Sequence, residues 1–219
     1  MPHVREEFQP TLPVLVRKRF GLPERTTIVL LLIALALLAV AVVLVRPRVD
    51  TISNVVHRED PRFTMEYANT ALRSAEPQGD ELVRLEGRRG RQTATVTVRP
   101  LELPAASGDV AHGQLPVYAS GHIRDLAKEI DGFRLTAQHR ARINDAPGYE
   151  MRFQTGGADR RMLGIDLLLL PEEETTEGAL LLSLRRDVEG PIELTRAERR
   201  FAERVSQAFR SLRYGVVEQ

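Results

Sequence analysis

The sequence predicts an α+β domain behind one N-terminal transmembrane helix. Three observations predict this class: a long apolar stretch near the N-terminus, several segments in which apolar and polar residues alternate, and two segments with a helical period. We expect a mostly antiparallel sheet of about six to seven strands, packed with two amphipathic helices. The 219-residue chain has no cysteine, which excludes a disulfide framework and a thiolate metal site.

The apolar stretch runs from Ile28 to Val45 and contains no charged or hydrogen-bonding side chain. As a helix it would span about 27 Å, close to the hydrocarbon core of a bilayer at about 30 Å. We therefore predict a transmembrane helix over residues 26–46 that contacts the lipid bilayer. The stretch is longer than the apolar part of a cleaved signal, and Arg46-Pro47-Arg48 follows it at once, which favours an uncleaved signal anchor.

The flanking charges predict the orientation of the chain. Residues 1–25 form a short basic head. The fifteen residues before Ile28 hold four Lys/Arg and the fifteen after Val45 hold three, a small difference that favours a cytoplasmic head. A short basic head followed by one span and a domain also usually exports the domain, so we expect an extracytoplasmic domain. The first 49 residues carry a charge of +4 and the whole chain +1, so the remainder is acidic, at −3. An acidic domain offers no electrostatic basis for nucleic-acid binding.

The region after the span divides into three predicted parts: a polar juxtamembrane spacer at 47–61, an α+β domain at 62–215 and a tail at 216–219. The domain opens with a strand from Arg62, in which aromatic and apolar residues alternate with polar ones. A second strand is predicted at 81–85, followed by a glycine-containing turn and a return strand at 92–98. One face of the return strand carries three threonines, Thr93, Thr95 and Thr97. We interpret them as an ordinary outer sheet face, with a flat binding face as the alternative.

A loop at 101–114 precedes the first predicted helix, which covers 115–130. The strand that follows, 133–143, places one set of residues on a single face: Phe133, Leu135, Ala137, His139, Ala141 and Ile143. Three further strands are predicted near 149–153, 161–170 and 179–184. The last helix starts at a capping box, Thr195-Arg196-Ala197-Glu198, in which each side chain satisfies a backbone donor at the other end.

This order of elements resembles the Mog1/PsbP-like superfamily. The resemblance lies in an aromatic opening strand (Phe63-Thr64-Met65-Glu66-Tyr67), a Gly-containing turn before an aromatic strand (Ile143 to Met151), and a closing helix that ends in Ala208-Phe209-Arg210-Ser211-Leu212. It covers roughly residues 62–214. It implies an αβα sandwich that acts as a binding or assembly module, generally without catalysis, and it implies no active-site residue.

Candidate catalytic and metal-binding residues are few. His122, Asp125 and Glu129 recur at i, i+3 and i+7 on the predicted helix and, with His112, could hold a metal. Polar residues opposite an apolar stripe more commonly form a solvated face, so we predict no metal site, no cofactor and no catalytic residue. His139 is interpreted as a core or edge residue, and Asp145 as a turn residue. None of the candidate nucleophiles lies in an activating motif; they are Ser107, Ser120 and Ser183.

These observations favour a non-enzymatic, single-pass membrane protein of the bacterial cell envelope whose extracytoplasmic domain binds or assembles unknown protein partners. Two alternatives remain at this point. One is an anchored hydrolase or metal-dependent enzyme that uses His112, His122 and Asp125. The other is a structural subunit of a membrane protein complex.

Overall fold

A computed structural model describes residues 54–103, 109–157, 159–171, 178–190 and 193–215, together with residue 29 alone. The side chains of residues 109–112 are not described. Asp50–Gln219 separate as one compact unit, which holds almost all of the described residues. The predicted transmembrane helix, apart from residue 29, and the predicted head and tail lie outside the described part. Within that part, no helix combines the length and apolarity that crossing a membrane requires.

Ten strands and two helices are found among the described residues. In chain order they are β1 (Asn54–Glu59), β2 (Arg62–Tyr67), β3 (Arg73–Ala75), β4 (Val83–Arg89), β5 (Gln92–Pro100), α1 (Asp109–Glu129), β6 (Arg134–Ile143), β7 (Ala146–Gly156), β8 (Arg160–Leu169), β9 (Leu180–Glu189), α2 (Arg196–Arg210) and β10 (Arg213–Tyr214).

Seven of the strands form the main sheet, in the order β3-β4-β5-β9-β8-β7-β6, and every neighbouring pair is antiparallel. The other three form a small antiparallel sheet in the order β1-β2-β10. The α+β class and the antiparallel sheet of seven strands with two helices are therefore confirmed. The small sheet was not predicted, and β1 lies in the segment interpreted as a spacer.

The two helices pack against opposite faces of the main sheet. Successive side chains of a strand point to opposite faces, and in β8 Leu167 and Leu169 belong to one core cluster while Leu168 and Leu170, the latter just after the strand, belong to the other. Helix α2 packs in the first cluster through Phe201, Val205, Ala208 and Phe209. Helix α1 packs in the second cluster through Leu115 and Ala119. We call these two faces the α2 side and the α1 side.

Each helix covers only part of its face. The core cluster under α1 takes its sheet residues from β6, β7, β8 and β9 and none from β3 or β4. Helix α2 packs mainly on β2, β4, β5 and β9. The α1 side of β3, β4 and β5 and the α2 side of β6 and β7 are therefore left without a helix among the described residues.

Strand β6 departs from the predicted single face. A β-bulge lies between Leu135, which pairs with Phe153, and Ala137, which pairs with Arg152. The extra residue shifts the alternation by one position. Leu135 consequently packs with the α1 cluster, whereas Ala141 and Ile143 pack with the α2 cluster. The prediction that these residues share one face is wrong for this reason.

Candidate functional site

A buried ionic cluster joins α1 to the sheet. Asp166 of β8 has no exposed surface, and its Oδ2 accepts a hydrogen bond of 2.9 Å from Arg185 Nη2 of β9. Arg185 Nη1 donates to the other carboxylate oxygen, Oδ1, so the pair is bidentate. His122 Nε2 of α1 lies 2.8 Å from Asp166 Oδ2. One carboxylate thus holds two strands and one helix together.

The surroundings of Asp166 keep it ionised. Burial alone would raise the pKa of this carboxyl group, but the hydrogen bond with His122 and the charge and hydrogen bonds of Arg185 lower its pKa to about 2. A buried carboxylate is tolerated only when its lone pairs are satisfied and its charge is compensated. Both conditions are met here.

Phe153 and Gly164 position the arginine of this cluster. Phe153 of β7 lies directly across from Gly164 of β8, and a Cβ at Gly164 would stand 2.2 Å from Phe153 Cζ. The ring therefore occupies the space over the glycine. Arg185 Cζ lies 4.7 Å from the centroid of the same ring, a cation–π contact. Because Gly164 has no side chain, the Phe153 ring can lie over it, and the ring in turn contacts the guanidinium that binds Asp166.

The structure does not bring the candidate metal ligands together as the helical spacing suggested. His122 contacts Asp166, whereas Asp125 accepts a hydrogen bond from Lys128 Nζ at 2.9 Å. The side chain of His112 lies outside the described residues. Among the side chains that are described, no group of three or more His, Asp or Glu could hold a metal ion.

The remaining candidates occupy ordinary structural positions. His139 is half exposed, with Nε2 3.8 Å from Glu150 Oε1. Ser120 Oγ donates to the carbonyl oxygen of Pro116 one helical turn earlier, at 2.8 Å. Ser183 is buried, and Ser107 lies outside the described residues. Asp145 has a φ of 73°, as a turn residue requires, so the turn interpretation is confirmed.

The uncovered α1 side of β4 and β5 carries a polar recess. Thr93 and Thr95 lie on this face with Arg88 and Glu86, because directly paired residues of antiparallel strands share a face. An open recess of about 550 Å³ is lined by these four side chains, by Arg73 and by residues 69–72, of which Ala71 and Leu72 pack in the α2 cluster. Thr93 and Thr95 are half buried, while Thr97 is 7% exposed. The three threonines thus share the uncovered face, as we predicted for an outer sheet face, although Thr97 is buried on it.

The cluster of Asp166 and Arg185 was missed at the sequence level, although one signal was present. Asp166 is the only charged residue between Gly164 and Leu170, in a run that is otherwise apolar. A single carboxylate in a strand that is apolar on both faces indicates a cationic or hydrogen-bonding partner elsewhere in the fold. The partner's identity, however, depends on the order of strands, which the sequence does not specify.

The chain is similar to some solved structures at low sequence identity. No family model matches the chain, and no curated protein matches it. Similar solved structures include LpqN of Mycobacterium tuberculosis, which is involved in cell envelope biogenesis. LpqN is 12% identical to this chain. The match covers 73% of this chain and 88% of LpqN, with a TM-score of 0.44. They also include the cyanobacterial PsbP protein CyanoP of Synechocystis, at 10% identity, 77% and 96% coverage and a TM-score of 0.48. Likenesses at this level carry no argument about the superfamily, the ligands or the partners of this chain.

Proposed function

We propose that this protein is a non-catalytic binding or assembly module of the bacterial cell envelope. In this proposal residues 28–45 anchor it in the membrane and the C-terminal domain lies outside the cytoplasm. The observation that carries the proposal is the uncovered α1 side of β3, β4 and β5, where half-buried polar side chains surround a recess instead of packing beneath a helix.

The chemistry of the recess suits an extended polar segment of a partner protein. Threonine hydroxyl groups both donate and accept hydrogen bonds, and arginine donates to backbone carbonyls and carboxylates. Thr93, Thr95 and Arg88 therefore offer donors and acceptors side by side along one sheet face. Arginines are also enriched at protein interfaces.

A neighbouring ionic network pairs several charged side chains beside this face. Glu81 is almost wholly buried, and its carboxylate accepts hydrogen bonds of 3.0 Å from both Arg84 Nη1 and Arg99 Nη2. Arg84 Nε also donates to Glu86 Oε1 at 2.6 Å. A surface whose charged side chains are already held in place loses less conformational entropy when a partner binds.

Site-specific photo-crosslinking in cells tests the proposal. A photoreactive amino acid at Thr95 should give one discrete crosslinked protein of the envelope, whereas the same residue at exposed Arg200 on α2 should not. A second variant, Thr95→Arg, adds bulk to the recess and should abolish crosslinking from position 93. The proposal is wrong if positions 95 and 200 give the same products, or if neither gives any.

A further inference from the structure

A groove runs between α2 and the main sheet on the α2 side. It has a volume of about 500 Å³ and is open to solvent along its length. The sheet contributes Arg186 of β9 to it, and α2 contributes residues spaced at three and four positions: Ala202, Glu203, Ser206, Gln207 and Arg210. This groove lies on the opposite face of the sheet from the recess at Thr95.

Two neighbouring arginines have an unsatisfied Nε atom: Arg186, which lines this groove, and Arg161, which lies diagonally to it on the adjacent strand. Arg186 Nε and Arg161 Nε are buried, and neither has a hydrogen-bond partner among the described residues. The two lie on the same face, because Arg186 is opposite Leu163 and Arg161 is opposite Val188 in adjacent strands. They are diagonal neighbours, with a separation of about 7–8 Å between backbone positions.

This arrangement differs from that of other arginines in the domain. Arg185, next to Arg186 in the chain, is held by Asp166, and Arg84 is held by Glu81 and Glu86. Burial lowers the pKa of Arg186, and no carboxylate opposes that effect. A guanidinium stays charged at any physiological pH, so this cation is partly removed from water without compensation.

A third unsatisfied group lies beside the two arginines. Gln92 of β5 has no exposed surface, and both its amide nitrogen and its amide oxygen lack a partner among the described residues. Gln92 pairs directly with Val188, and Val188 pairs directly with Arg161. Gln92, Arg161 and Arg186 therefore surround Val188 on one sheet face. Buried polar groups are normally hydrogen-bonded, and three unsatisfied groups in one place indicate a missing partner.

We propose that the groove between α2 and β9 binds a phosphate group through Arg186 and Arg161. A guanidinium presents a planar set of donors that matches the oxygens of a phosphate. Ser206 and Gln207 of α2 supply further donors on the opposite wall. Glu203 and Arg210, which also line the groove, balance one another in charge, so Arg186 leaves the lining at +1, and its neighbour Arg161 raises the local excess to +2. That excess fits a phosphate monoester, at −1.5 to −2 near pH 7, better than a single carboxylate.

The phosphate has two possible sources, a free phosphorylated molecule and the headgroup of a lipid. Isothermal titration calorimetry on the full-length protein in a neutral detergent distinguishes them. One arm uses inorganic phosphate, and the other uses dihexanoyl phosphatidic acid, with dihexanoyl phosphatidylcholine as the blank. Saturable heat in the first arm identifies a free phosphate ligand, and saturable heat in the second arm alone identifies a headgroup.

Three substitutions test whether the phosphate binds in this groove. Arg186→Gln should weaken binding by about tenfold or more, because a hydrogen bond from a charged donor is lost, and Arg161→Gln should act in the same direction. Arg200→Gln, which makes the same charge change on the exposed surface of α2, should change the affinity by less than about twofold. Arg186→Gln is also expected to fold normally, since the buried Nε of Arg186 has no hydrogen bond to lose; the thermal unfolding midpoint checks this.

Three results would overturn the proposal: no saturable heat with either probe, equal weakening by Arg186→Gln and Arg200→Gln, and unchanged binding by Arg186→Gln. The outcome is independent of the crosslinking at Thr95, which probes the other face of the sheet. A negative result for phosphate binding would not contradict the protein-binding proposal, and a negative crosslinking result would not contradict the phosphate site.

Discussion

The substitution Asp166→Asn tests how α1 is held on the sheet. It keeps the shape of the side chain but removes the charge that faces Arg185 and His122. The asparagine NH₂ group then faces a guanidinium donor, so Arg185 loses its counter-ion while three-quarters of its side chain stays buried, with 25% exposed. Because Asp166 is itself fully buried, water cannot replace the missing acceptor.

The expected cost follows from this burial. Breaking a buried ion pair by removing one partner destabilises a protein by about 3–5 kcal/mol. We take the lower end, about 3 kcal/mol, because Arg185 keeps its contact with the Phe153 ring and donates at 3.3–3.4 Å to the carbonyl oxygens of Leu184 and Ile165. With a urea m-value of about 2 kcal/mol per M, the unfolding midpoint should fall by about 1.5 M.

Urea unfolding of residues 50–219, followed by far-ultraviolet circular dichroism, measures this midpoint. Asp125→Asn is the matched control: it makes the same chemical change on α1, where Asp125 is 63% exposed and pairs with Lys128. Its midpoint should equal that of the unchanged protein. The reasoning is refuted if Asp166→Asn costs less than about 1 kcal/mol, or if the two substitutions lower the midpoint equally.

Three further predictions concern the same domain. Because the pKa of Asp166 is lowered from its ordinary value of 3.8 to about 2, its ionised form stabilises the fold at pH values above 3.8. This contribution to the free energy of unfolding, about 2 kcal/mol, should disappear as the pH falls from 4 to 2. The stability of Asp166→Asn should not show this decrease in acid unfolding. Thr195→Ala removes the N-cap of α2 and should cost about 1 kcal/mol in thermal unfolding, whereas Thr195→Ser should be neutral. Gly164→Ala should cost about 1–3 kcal/mol by displacing Phe153, and Gly121→Ala, with open space at its Cβ, should be neutral or stabilising.

Local signals in the sequence predicted the parts of the fold that depend on neighbouring residues. The capping box at Thr195 and Glu198 is present with both of its hydrogen bonds, and β2 has the bounds expected from its alternation. The backbone hydrogen bonds from Thr195 and Arg91 lower the pKa of Glu198 to about 2. Of these, the contact with Arg91 spans 107 residues, and sequence reasoning did not anticipate it.

Other features depend on distant parts of the chain and were missed. Helix α1 begins at Asp109, inside the predicted loop. Its first turns were not predicted because Gly113 and Pro116 weaken the helical pattern there. Strands β3 and β10 have three and two residues, which is too short for a period to be visible. The bulge after Leu135 has no glycine to mark it. The Nε atoms of Arg161 and Arg186 lack a hydrogen-bond partner among the described residues, and this depends on which strands become neighbours.

The most direct test of the account is the location of the C-terminal domain. Alkaline phosphatase, which is active only outside the cytoplasm, and green fluorescent protein, which fluoresces only when folded inside, are each fused after Gln219. We predict active phosphatase, a green fluorescent protein fusion without fluorescence, and recovery of both fusions in the membrane fraction. A fluorescent fusion with inactive phosphatase would contradict it, and the partners of the recess at Thr95 would then be cytoplasmic.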